Sequence, residues 1–188
     1  MHKIRSNTAT INLEEITKPI PLMMFDKLED KYVYERLDTS NFHIDYDQNT
    51  RRRTKSIPIV KTDAYELVFE KGTSAGNNYS LIIGENASLL AYSITGKEML
   101  DYSTRVKTDF KDFDIPDFQN VAKYNSINVK DLQEGDMVKK FAFLNGKPYA
   151  HSKKLKSIKK LDEQINSFSI KSMNKNYFIV DQFLVSFE

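Results

Sequence analysis

The run Asn166-Ser-Phe-Ser-Ile-Lys-Ser-Met-Asn-Lys-Asn-Tyr-Phe-Ile-Val-Asp-Gln-Phe-Leu-Val-Ser-Phe-Glu188 decides the reading of the fold. It begins as an alternating strand, passes through a polar turn, continues as the Tyr- and Phe-rich segment Tyr177–Val180, turns briefly and closes as an apolar strand ending in Ser186-Phe187-Glu188. Short β-rich runs separated by polar turn residues are the pattern of antiparallel hairpins.

The same pattern recurs upstream. Lys31–Tyr34, Phe42–Tyr46, Ser56–Val60, Tyr65–Phe69, Tyr79–Ile83 and Ser88–Tyr92 each read as a strand bounded by Asn, Asp, Gly or Thr. Asn145-Gly146 between apolar runs is the strongest hairpin cue in the chain. Gly72–Asn78 reads as a loop and Thr95-Gly96-Lys97 as a tight turn. Helical patterning is confined to Asn12–Ile16 and a single turn at Asn128–Leu132. The expectation is a mainly β single domain spanning 1–188, with little helix. Within it, residues 100–125 are polar and irregular, and Asp109–Phe118 alternates acids with Phe110, Phe113 and Phe118. An insertion or linker is expected there, its phenylalanines docking on the chain's own surface, with a partner's groove as the alternative.

Composition narrows the function classes. The 188 residues suffice for one hydrophobic core, and 28 Lys and Arg against 26 Asp and Glu impose no global drive toward polyanions. With no cysteine there is no disulfide, no thiolate ligand and no cysteine nucleophile. No segment reaches the roughly 20 apolar residues of a membrane span, and Met1–Thr8 lacks the apolar core of a secretory signal, so a soluble protein is expected.

The closing motif resembles the C-terminal end of Hint domains, the fold shared by inteins and hedgehog autoprocessing modules. Ile127–Val138 is similar to the Hint element in which a short Val-x-Asp-Leu turn precedes Gly-Asp and a new strand. Tyr65–Gly72 and Tyr79–Leu90 look like the family's strand, turn, strand and Thr-x-x-His-x-x-Leu motif, and Val33–Thr50 resembles its early hairpin ending in Asp-x-x-Thr. The resemblance covers residues 30 to 188 and implies a Hint-like domain of curled antiparallel strands and hairpins.

It also implies where chemistry would sit. In that family a Cys or Ser at the first position attacks the preceding carbonyl, a His assists proton transfer, and inteins finish by cyclising a terminal Asn beside a His. The first position falls near Lys3–Thr8, the motif Thr on Gly84, its His on Ala87, and the final His-Asn on Ser186 and Phe187. The resemblance thus carries the scaffold with the reactive groups replaced, and no catalytic residue, cofactor or metal is expected. A divergent self-processing reading would have to use Ser6, Thr8 or Ser186.

Other constellations read as structure. Asp63, Glu66, Glu70 and Lys71 fail the Glu-x-Lys spacing of a metal-dependent nuclease, because adjacent Glu70 and Lys71 point to opposite faces of a strand. Two basic clusters, Arg51–Lys55 and Ser152–Lys160, read as solvated faces, with nucleic-acid binding through Lys153–Lys160 as the alternative. Among the three histidines, His43 should face solvent, no Asp follows His151 at a spacing that sequence can defend as a triad, and His2 matches no motif. The expected function is a non-catalytic binding or structural module with a protein partner, with an oligomer or larger assembly as one setting. A phage or virion component fits the Lys-, Asn- and Ile-rich composition, in a cytoplasmic or virion setting. The alternatives are a divergent intein-like self-processing domain and, more weakly, a nucleic-acid-binding accessory protein.

Overall fold

The computed structural model describes residues 2–6, 10–70, 79–92 and 124–187. The strands up to residue 92 are β1 (Lys3–Arg5), β2 (Thr10–Asn12), β3 (Pro21–Asp26), β4 (Lys31–Arg36), β5 (His43–Asp47), β6 (Arg52–Ser56), β7 (Ile59–Thr62), β8 (Ala64–Phe69), β9 (Tyr79–Gly84) and β10 (Ala87–Tyr92). After it come β11 (Asn125–Asn128), β12 (Met137–Leu144), β13 (Lys147–Lys160), β14 (Ile165–Phe168), β15 (Tyr177–Val180) and β16 (Phe183–Phe187). Among the described residues helix is limited to 3₁₀ turns at Leu13–Glu15, Thr39–Asn41 and Val129–Asp131. The chain is mainly antiparallel β, as its alternation requires.

Twelve strands share one sheet, with the path β2-β1-β15-β16-β10-β12-β13-β8-β9, while β3, β4 and β11 join from the side. β10 pairs with β11, β12 and β16, and β12 pairs with β10, β13 and β16. A strand with three partners must exchange one for another along its length, so the sheet curls instead of lying flat. Its central strands are buried on both faces. In β16, Phe183, Val185 and Phe187 enter one apolar cluster and Leu184 the other; Phe178 and Val180 alternate likewise with Tyr177 and Ile179 in β15. This two-sided burial explains why Tyr177–Val180 and Phe183–Val185 are continuous apolar runs, since a strand alternates faces every residue.

Two pairs of strands lie outside the main sheet, β7 with β14 and β5 with β6. Ser56–Val60, which the sequence suggests is one strand, is divided: β6 ends at Ser56, β7 starts at Ile59, and Ile57 turns inward to 5% exposure. Pro58 lies at the division and has no N–H for a ladder. The loop at Gly72–Asn78, the turn at Thr95–Lys97 and the phenylalanines of 109–118 lie outside the described residues. So does the expected insertion of 100–125 up to residue 123, whereas Tyr124 is buried and Asn125 opens β11.

Candidate functional site

Of the positions that the Hint resemblance marks for chemistry, Ala87, Ser186 and Phe187 lie on the β10–β16 ladder. Ala87 pairs with Phe187 and Ser88 with Ser186. Ala87 is fully buried and Phe187 is 5% exposed, its ring 6.3 Å from that of Phe178. Ser186 Oγ lies 3.3 Å from Ser126 Oγ. The Ala87 methyl and the Phe187 ring stand opposite each other in this ladder, and neither can exchange a proton.

Gly84 has a packing reason. A Cβ there would lie 2.5 Å from Thr62 Cγ2, 2.8 Å from Asn86 Oδ1 and 3.0 Å from Ser167 Cβ, so the β7–β14 ribbon occupies the space a threonine would fill. At the start of the chain, Lys3 is exposed in β1, while Ser6 is buried and bridges to Leu22. Thr8 lies outside the described residues.

A second site was not legible in the sequence. Val180-Asp181-Gln182-Phe183 forms the β15–β16 turn with φ of 48° at Asp181 and 72° at Gln182. Both central residues are left-handed, as a type I′ hairpin requires, although neither is the usual Asn or Gly. Contacts from distant strands hold the turn. Asp181 N–H donates to Lys3 O at 2.8 Å, Phe141 N–H donates to Gln182 O at 2.7 Å, and Lys3 N–H donates to Asp181 Oδ1 at 3.1 Å. The other carboxylate oxygen lies 2.8 Å from His2 Nδ1. His2 is 7% exposed and its ring stands edge-on to Phe168 at 6.4 Å.

A cavity of about 640 Å³ opens beside this pair, walled by His2, Asp181, Glu14, Ser80, Asn166 and Phe168. A carboxylate on Nδ1 fixes the imidazole's orientation and leaves Nε2 as its remaining polar atom. The arrangement can orient a bound polar group. Separation explains why sequence reading missed it: the partners are 179 residues apart, and the β1–β15 pairing of Ile4 with Val180 brings them together.

The other singled-out groups are dispersed. Asp63 pairs with Lys160 at 2.5 Å and Glu70 with Lys154 at 3.6 Å, so two carboxylates of the nuclease reading and two lysines of the second basic cluster neutralise one another. His43 is exposed beside Asp45 at 3.0 Å. The expected Asp-x-x-Thr turn is formed, with Thr50 Oγ1 donating to Asp47 Oδ2 at 2.7 Å. These bonds hold the Asp47 carboxyl below its usual range, with the Thr50 hydroxyl the leading cause.

Buried cations on β12 also escaped sequence reading. Lys139 is 1% exposed, lies 4.7 Å from the Tyr124 ring centre and 5.4 Å from that of Phe25, and reaches Asp30 only at 3.6 Å. Burial pushes its amine below the ordinary lysine range. Lys140 is pushed down to about 8, first by burial and then by Lys153. Across the ladder, burial followed by Lys140 and Lys153 pushes His151 down to about 4.

The fold and these two sites describe a mainly antiparallel β protein whose first and last strands meet in one curled sheet. Among solved structures the chain is similar to the TvoVMA intein, at 14% identity and a TM-score of 0.49, over 98% of this chain and 92% of that one. No protein-family model matches the chain, and no curated protein matches it.

Proposed function

We propose that this chain is a Hint-like scaffold that does not process itself and serves as a binding or structural module for another protein. One observation carries the reading: buried Ala87 and Phe187 face each other in register at the positions where the resemblance places the proton-transferring His and the cyclising Asn. The closing strand supplies burial there instead of a reactive amide. The cysteine-free, Lys-, Asn- and Ile-rich composition supports a phage or virion assembly setting. The test is the intact mass of the chain placed between two folded reporter domains, incubated with and without thiol. An unchanged mass is expected; release of a reporter, or joining of the two, would overturn the proposal.

The His2–Asp181 pair favours a second reading, divergent self-processing with a displaced histidine and Ser6 as nucleophile. Cleavage of the wild-type fusion that disappears in both His2→Ala and Ser6→Ala would establish it. No cleavage in the wild type would dismiss it.

A further inference from the structure

The β5–β6 hairpin is the one strand pair among the described residues in which every side chain is exposed. It is separate from the main sheet and pairs His43 with Ser56, Ile44 with Lys55, Asp45 with Thr54, Tyr46 with Arg53 and Asp47 with Arg52. An isolated two-stranded ribbon is marginal in water. Here the Asx turn at Asp47–Thr50 pins its end, and Arg51 takes a left-handed φ of 54° to close it.

Strand alternation divides the ribbon into unlike faces. One carries His43, Asp45, Asp47, Arg52, Thr54 and Ser56; its acids are engaged, Asp45 by His43 and Asp47 by the turn. The other carries Ile44, Tyr46, Arg53 and Lys55, with no acid. Ile44 is 55% and Tyr46 57% exposed. Among the described residues Arg51, Arg52, Arg53 and Lys55 form no ion pair, in contrast to Lys154 and Lys160 of the other basic cluster.

We infer that this ribbon is a nucleic-acid-binding arm that enters the major groove of duplex DNA, the cations on phosphates and Tyr46 with Ile44 toward the base edges. Charge complementarity selects a polyanion, since four unpaired cations gather on one short projection. Exposure on both faces selects a groove over a flat platform: the major groove admits a two-stranded β-ribbon, whose β6 edge and turn, which carry all four cations, then lie along one phosphate wall. The inference is independent of the proposed loss of self-processing.

The test is fluorescence anisotropy of the full chain with a fluorescein-labelled 20-base-pair DNA duplex, across a salt series. Four phosphate contacts predict log Kobs falling with log salt at a slope of about −3.6. Arg53→Gln with Lys55→Gln should weaken binding at least roughly tenfold at low salt and reduce the slope by about 2. Tyr46→Ala should weaken it severalfold at an unchanged slope, and Lys154→Gln with Lys156→Gln should leave it within about twofold. All five positions are exposed, so an unchanged melting temperature confirms that each variant folds. Absence of binding at about 50 mM salt, hairpin variants that bind like the wild type, or displacement of the duplex by equal charge of polyglutamate would overturn the assignment. The last result would point to an acidic protein surface.

Discussion

At Gly84 a missing side chain is a packing requirement. Gly84→Ala places a methyl 2.5 Å from Thr62 Cγ2, inside any real contact distance, and should cost about 1–3 kcal/mol in urea unfolding. Thr62→Ser removes that methyl and should restore part of the loss when combined with it. His151 makes a prediction in pH. Its folded value of about 4 lies below the ordinary 6.5, so between these values the unfolded chain binds more protons and stability falls as pH falls. His151→Gln should flatten the stability profile from about pH 6.5 to 4 by roughly 1–3 kcal/mol relative to wild type, as read by unfolding at a series of pH values. Lys139 is a buried cation held by aromatic rings and an ion pair of 3.6 Å. Lys139→Met keeps the volume and removes the desolvation cost, so urea unfolding should show equal or greater stability, by up to about 2 kcal/mol.

Strands and turns were legible where local chemistry dictates them. Asn145-Gly146 closes β12 on β13 with φ of 51° and 73°, as the dipeptide alone implies. The 3₁₀ turns at Leu13–Glu15 and Val129–Asp131 fall within the two stretches of expected helical patterning, Asn12–Ile16 and Asn128–Leu132. β3 was harder to read, because Leu22–Phe25 is buried on both faces and shows no alternation. The Asp181-Gln182 turn also conceals itself, since its residues do not advertise left-handed backbone. Gln182→Gly should stabilise by about 0.5–1 kcal/mol by relieving that conformation. Asp181→Gly should destabilise by about 1–2 kcal/mol despite the same relief, because it removes the contacts to His2 and Lys3. Thermal melts of the two variants separate strain from contact.

For the molecule as a whole, the long-range pairings carry the functional argument. Ile4 opposite Val180 and Ala87 opposite Phe187 bring both ends of the chain into the sheet. For the second, the sequence marked both positions by a family resemblance but did not pair them. The His2–Asp181 cavity was not legible, because nothing within either segment specifies the other. The basic hairpin was half legible: its cations were visible, but only the register shows that Tyr46, Arg53, Ile44 and Lys55 share one face free of acids. The central claim is that the closing strand serves packing. Phe187→Asn, which returns to that position the amide the resemblance expects, tests it by equilibrium urea unfolding. If Phe187 is structural, losing its buried ring should lower stability by about 3–5 kcal/mol. A variant within about 0.5 kcal/mol of the wild type would contradict the account, because the strand would then tolerate a polar tip at no packing cost.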